Sequence, residues 1–431
     1  MASLGNFHVN VVATVANRPC VQDQRLTRGA GKRQGCLSEP LDIAPATQAL
    51  LLCARLELDP EQEAALVAVC QGIDDWSQVI GHADYHLMLP LVYHHLRRLS
   101  AQAGVPDAVL AEIHASCRMQ GLRSLDFTAD QRSLIQDVLE PLSVPHMFFK
   151  GQTLAAHYYG AIVRPCRDID VLVPRASLVD VAMQAQERGF TVDGPTPLSR
   201  QDMEAAARYR PVLCLRGPRG APIEVHHRLD KSGWIYDSGQ LLRSARLIQV
   251  QGQALPVMPA ADLFVYLCLH HTRHRWARLH WLADLDALMR HPEFDLDAVL
   301  TRAAQLGVTS TVRTSINLQQ LLSRPGPWDE TGLDHPTRSL ARVALACMDG
   351  GSSAELASLH EVRGYLRDFA FEWQTNWKQR LLDRLASWAA CFRPNFADYQ
   401  QWPLPSRWHW LYVFLRPFTG LNRNLRRRWK R

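Results

Sequence analysis

At 431 residues, with 47% hydrophobic and 21% charged side chains, the chain has the composition of a globular protein long enough for two or three packed units. Its net charge of +6 is mild, and much of it sits at the two ends. Ten cysteines without a C-x-x-C pair exclude a zinc ribbon or secreted disulfide framework and point to reduced thiols. No apolar run reaches the roughly 20 residues that span a bilayer, and the N-terminus lacks the pattern of a signal peptide, so a cytoplasmic protein is expected.

Residues 1–44 carry Arg18, Arg25, Arg28, Lys32 and Arg33 among scattered glycines without periodicity. They read as a disordered basic extension, of the kind an upstream start codon adds. From 45 to 140 the pattern is helical. Asp59-Pro60-Glu61 is a helix start, with proline just inside a capping acid. Further helices are predicted from Ile73–Trp76, over Leu87–Leu99, from Pro106-Asp107, and over Leu122–Leu139. His82, His86, His94 and His95 lie on or beside these helices and read as packing or surface residues.

Residues 141–255 read as the core of the fold. Val144–Phe149 predicts a short buried strand ending at Lys150-Gly151, Gln152–Tyr159 a helix, and Asp168–Val173 a second strand after a turn through Gly160 and Arg164-Pro165. Alternation along that strand puts Asp168 and Asp170 on one face and Ile169 and Val171 on the other. Neighbouring carboxylates repel, and a divalent cation is the usual reason to pair them. The glycine turn into a helix start offers backbone N–H groups to phosphate. Ser177–Arg188 predicts a helix ended by Gly189, Phe190–Val192 a short strand, and Pro195–Tyr209 a polar connection. Pro211–Leu215 and Ala221–Leu229 then form a hairpin around Gly217–Gly220. Glu224, which shares a face with His226, stands where a third acid could join the pair, the arrangement by which two metals clamp a phosphoryl displacement. The fold class is α+β, a small mixed sheet flanked by N-terminal and C-terminal helical regions.

These residues resemble the nucleotidyltransferase superfamily of the DNA polymerase β type, with its glycine turn, acid-x-acid pair and third acid on a later strand. More closely, the chain is similar to a family of bacterial nucleotidyltransferase-like proteins found beside polysaccharide and peptide-modification genes. The matching segments are Lys150-Gly151, Arg164-Pro165-x-x-Asp168-Ile169-Asp170-x-Leu172-Val173, Ile223-Glu224-Val225-His226 and Arg278-Leu279-x-Trp281-Leu282-x-Asp284, and the likeness runs from about Thr47 to about Pro417. It implies a Mg²⁺ (or Mn²⁺) ion held by Asp168, Asp170 and Glu224, which are also the catalytic acids. A nucleoside triphosphate such as ATP would bind through Lys150, Gly151, Gln152, Thr153 and Arg164. The nucleoside monophosphate would pass to a small molecule, glycan precursor or peptide, with an antitoxin-like action on another protein as a variant. The superfamily's Gly-Ser is Gly151-Gln152 here, with Lys150 or Thr153 available in place of the serine. The intact acids favour an active transferase; the missing serine favours a degenerate fold that binds nucleotide or a partner without turnover.

Residues 256–372 are predicted helical, over Ala260–Arg290, Leu296–Leu306, Val312–Leu322 and Thr337–Met348. The resemblance makes this block the far wall of the nucleotide cleft. His270 and His274 share a helix face, as in helical zinc sites, but without the glutamate of a metalloprotease motif. With His271 they read as cleft lining or packing, and Trp276, Trp281 and Asp284 as helix packing and surface residues. Residues 373–431 form an aromatic and basic tail, with Trp408, Trp410, Phe414 and Phe418 preceding Arg423–Arg431. That composition suits a solvated helix end, an anionic membrane surface or nucleic acid.

Overall fold

The computed structural model describes residues 43–192, 197–210, 212–230, 235–326, 328, 332–361 and 393–416, with a few positions between 377 and 389. The larger unit is Pro40–Ala390; the smaller is described over 393–416. The expected basic extension lies outside the described residues up to position 42. Its last two residues are packed, since Ile43 is buried and the Ala44 N–H donates to Asp349 Oδ1 at 3.0 Å.

Five helices lead in: α1 (Pro45–Cys53), α2 (Pro60–Gln71), α3 (Trp76–Tyr85), α4 (Leu89–Ala103) and α5 (Asp107–Ser133). Asp59 caps α2 in a reciprocal box with Gln62, and Asp75 caps α3, so the acids before these helices satisfy N–H groups the helices leave open. The stretch predicted as two helices is one, because nothing between 107 and 133 breaks α5. It runs directly into a π-helical turn at Leu134–Leu139.

The sheet has seven strands: β1 (Met147–Phe148), β2 (Ile169–Leu172), β3 (Thr191–Val192), β4 (Val212–Arg216), β5 (Pro222–His226), β6 (Arg246–Val250) and β7 (Gln253–Val257). Their order is β3-β4-β5-β2-β1-β7-β6. β2 runs parallel to β5 and β1 parallel to β7, while the other pairs are antiparallel, which makes the sheet mixed. All four residues of β2 are buried. Helices α6 (Gln152–Tyr158), α7 (Leu178–Glu187), α8 (Arg200–Tyr209) and α9 (Ser238–Arg243) connect the strands.

Two local expectations are corrected. The polar connection at 195–209 contains α8, nucleated by the Ser199 side chain accepting from Asp202 N and buried through Met203 and Ala205–Ala207. The end of the predicted core also forms a β6–β7 hairpin that no predicted strand covered, and its turn uses Gln251 and Gly252 at φ 48° and 79°.

The predicted β4–β5 hairpin forms, and α5 fixes its tip. Buried Asp130 accepts the N–H groups of Arg219 and Ala221, both at 3.0 Å. A Cβ on Gly217 would sit 2.2 Å from Asp130 Oδ2, so only glycine allows this approach. The anchor fixes the hairpin that carries Glu224.

Beyond the sheet come α10 (Ala260–Arg273), α11 (His280–Arg290), α12 (Leu296–Gln305), α13 (Thr309–Leu322), α14 (His335–Asp349) and α15 (Gly351–Glu361). They share one core with α1–α5, through residues such as Leu50, Leu66, Phe264, Leu285 and Leu345. Each such fully buried side chain contributes about 1.5–3 kcal/mol relative to exposure. Polar seams join the same layers: His86 Nε2 lies 3.0 Å from the Met348 carbonyl, and the Leu56 N–H donates to Asp286. His86 and His95 are fully buried and hydrogen-bonded, as packing histidines. Among the described residues no helix is long and apolar enough to cross a membrane.

Candidate active site

β1 leads through Phe149 to Lys150, and Gly151 turns the chain at φ 59°, ψ −126°. A Cβ there would lie 2.6 Å from the Asp168 carbonyl oxygen. Glycine is therefore required both by the dihedral and by the approach to the start of β2. The turn brings the Lys150 ammonium to 3.0 Å from Asp170 Oδ1.

On the neighbouring strand, register sets Glu224 directly beside Asp170 and His226 beside Leu172. His226 Nε2 reaches Asp170 Oδ1 at 3.0 Å and Glu224 Oε2 at 3.2 Å. The donor atoms of Asp170, Glu224 and His226 all lie within 4.8 Å of one another. Asp170 Oδ2 is buried and has no hydrogen-bond partner among the described residues.

Burial opposes the charges on Lys150, Asp168, Asp170 and His226, and the neighbours decide the outcome for each. For Asp170, Lys150 and His226 outweigh burial and hold the carboxyl below its usual range. Asp168 goes the other way: burial, then the Asp170 charge, push it up. His226 is raised despite burial, because it donates to Asp170 and Glu224. Lys150 is likewise raised against burial, chiefly by Asp170.

A cleft of about 350 Å³ opens beside these groups, lined on the sheet side by Lys150, Gly151, Asp168 and Glu224. The far wall is formed by α10 and α11, which supply His270, His271, His274, Trp281 and Asp284. His271 stacks on Trp281 with ring centroids 4.8 Å apart. Burial holds His270 and His271 well below the ordinary imidazole range, so both are neutral at pH 7. They do not gather an acid into a zinc-like set. Among the described residues, the convergent groups are the Asp170 cluster and a separate His157–His291–Glu293 group.

The remaining expected residues are distributed unevenly. Arg164 lines the cleft, but its Nε and Nη2 grip Asp284 at 2.6 and 2.7 Å, and the Tyr159 hydroxyl donates to the same carboxylate at 2.6 Å. Asp284 is accordingly fully buried rather than a surface residue. Gln152 turns toward α5, where its amide donates to Ser124 Oγ at 3.0 Å, and Thr153 is buried beside a different small cavity. Arg167 donates to the Tyr85 carbonyl.

Residues 73–323, more than half of the chain, match the sequence model of a family described as an uncharacterised nucleotidyltransferase. The chain belongs to this nucleotidyltransferase family. A search of curated proteins finds no match.

The part of this nucleotidyltransferase matched by the family runs from just before α3 to the end of α13, so it takes in both walls of the cleft. His226 is the polar group behind that cleft, against Asp170 and Glu224, whose part the sequence left unassigned. Its signal was the two-residue spacing from Glu224 on a strand, which puts both on one face. That it bridges two acids depends on β2 pairing with β5, a contact across more than 50 residues.

Proposed function

We propose that the protein transfers a nucleoside monophosphate from a nucleoside triphosphate to an acceptor, in the manner of polymerase β-type transferases, with a divalent cation held by Asp170, Glu224 and Asp168. The observation that carries this reading is the orphaned Asp170 Oδ2. A buried carboxylate oxygen without a donor is costly, and a cation held between Asp170 and the neighbouring Glu224 carboxylate removes that cost. The groups that converge are the Asp170 and Glu224 carboxylates and the His226 imidazole, with Asp168 lining the adjoining cleft, and the carboxylate oxygens suit Mg²⁺ or Mn²⁺.

A cation bound there neutralises triphosphate charge and polarises the reacting phosphoryl group. Lys150 supplies positive charge at the glycine turn and offsets the charge that gathers on departing pyrophosphate. His226 holds its proton between Asp170 and Glu224, which fixes the Glu224 carboxylate. Glu224, half-exposed to the cleft, takes the proton of an acceptor hydroxyl as the oxygen–phosphorus bond forms and the bond to pyrophosphate breaks. Arg164 acts at one remove: bound to Asp284, it braces the turn before Asp168. The neutral imidazoles of His270 and His271 leave their part of the far wall uncharged, which favours an uncharged acceptor group or base against it.

Thermal-shift titration with each of the four NTPs, with and without Mg²⁺, tests the reading. The expected result is a Mg²⁺-dependent rise in Tm with at least one nucleotide, about 2.7 kcal/mol of stabilisation at a hundredfold excess over Kd. It should vanish in Asp168→Asn/Asp170→Asn. No shift with any nucleotide overturns the donor site. Incubation with the labelled nucleotide and cell extract should then transfer label to an acceptor only when Asp170 is intact.

A further inference from the structure

The smaller unit folds on a few polar anchors. Asn395 and Asp398 form a capping box at the start of α16 (Phe396–Gln401), and the buried Asp398 also pairs with Arg416 Nη1 at 2.7 Å. Tyr412 is fully buried; its hydroxyl donates to the Trp402 carbonyl and accepts the Leu404 N–H. His409 is buried with it, Nε2 lying 3.0 Å from the Leu404 carbonyl.

The residues interleaved with these anchors point outward. Trp402, Trp408, Trp410, Val413 and Phe414 are 44–65% exposed. Trp410 lies 6.5 Å from Trp408 and 6.1 Å from Phe414, ring to ring, so three of them form one contiguous aromatic face. A segment that buries a histidine and a tyrosine while exposing two tryptophans and a phenylalanine has not run out of core. Its apolar face is turned to something outside it.

Charge says what that partner is. From Tyr399 to the end of the sequence there is no acidic residue, while Arg407, Arg416, Arg423, Arg426, Arg427, Arg428, Lys430 and Arg431 are basic. Tryptophan and phenylalanine beside a run of cations, with no helix among the described residues long and apolar enough to span, fit a bilayer interface: rings settle at the headgroup level and cations meet anionic lipid. We propose that residues 396–416, together with the basic sequence that follows, dock the protein onto an anionic lipid surface. The docking is peripheral and does not depend on the transferase reading. It places a transferase where an acceptor carried at a membrane is concentrated.

Co-sedimentation of the full chain with vesicles of phosphatidylcholine, with or without phosphatidylglycerol, tests it. The protein should pellet only with the anionic vesicles, and less in high salt. Trp408→Ser/Trp410→Ser/Phe414→Ser should weaken partitioning by about tenfold or more, and Arg426→Gln/Arg427→Gln/Arg428→Gln by a similar factor. Unchanged melting of both variants would show that folding is intact; the arginine set carries the test if the aromatic set melts early. Three results overturn the proposal. One is absence of anionic-lipid dependence. Another is indifference to the aromatic substitutions, which means the face is covered by protein. The third is displacement from vesicles by single-stranded oligonucleotide, which assigns the surface to nucleic acid.

Discussion

Two buried aspartates beside one cleft make an instructive pair. Asp170 and Asp284 are both buried and both face a cation, yet their accounts differ by one oxygen. Asp284 accepts from Arg164 through both oxygens and from Tyr159 besides. Its partner is a guanidinium, whose planar fork matches a carboxylate and which does not deprotonate. Asp170 spends one oxygen on Lys150 and His226 and leaves the other without a donor among the described residues. Asp284 is thus finished by its own chain, whereas Asp170 keeps one oxygen without a donor among the described residues, the feature on which the proposed cation site rests. Proximity to a cleft does not separate a binding acid from a structural one; the count of satisfied lone pairs does.

The sharpest way to break this comparison is to neutralise each acid in turn. Asp284→Asn leaves the Arg164 charge buried without its counter-ion, and stability should fall by about 3–5 kcal/mol. Asp170→Asn should cost less, about 1.5–3 kcal/mol, because buried Lys150 and His226 lose their main counter-charge but keep Asp168 and Glu224 nearby. It should nevertheless abolish Mg²⁺-dependent nucleotide binding. Urea denaturation of both variants decides the matter. Equal losses would mean that Asp170 is as structural as Asp284.

A second substitution probes the finished cluster more gently. Burial, then the Asp284 charge, push the Tyr159 hydroxyl well above its ordinary range, so it stays protonated and keeps donating. Tyr159→Phe removes that one donor and leaves Arg164 in place. A loss of about 1 kcal/mol is expected, clearly smaller than for Asp284→Asn, with nucleotide binding unchanged. A larger loss would give the hydroxyl, rather than the guanidinium, the main part in holding Asp284.

The sequence made one of these aspartates far more visible than the other, for physical reasons. Asp168, Asp170 and Glu224 were legible because strand alternation is local: two residues apart means one face, and the Gly217–Gly220 turn announced the hairpin that carries Glu224. The pairing of Arg164 with Asp284 spans 120 residues, and no periodicity encodes it. Helix α8 was hidden by its polar composition, although Ser199 ahead of Asp202 and an alanine run were its signature. The β6–β7 hairpin was hidden because β6 is mostly exposed and so shows no buried face; Gln251-Gly252 was the turn signal available. Lys150 was read as a phosphate ligand, and only the fold reveals that it meets Asp170 first. The long-range half of the site, namely which cation sits on which acid, belongs to tertiary structure.

The smallest expected effect separates the two clusters by pH. His226 has its pKa raised in the folded protein, against burial, by its bonds to Asp170 and Glu224. The unfolded chain's histidine titrates near about 6.5. Stability from the imidazolium is therefore fully present below that value and is lost as pH rises through the raised folded value. The Arg164–Asp284 pair has no such dependence, because its cation keeps its proton throughout. Removing the imidazole with His226→Gln should cost stability at pH 6, and the gap to wild type should narrow steadily as pH rises above neutral. The gap between wild type and Asp284→Asn should stay constant over the same range. Denaturation midpoints of both variants across pH 6–9 read the two slopes side by side. A His226→Gln gap that does not narrow would mean that His226 sits between the acids as a neutral imidazole, and the Asp170 cluster would then rely on Lys150 alone for its charge balance.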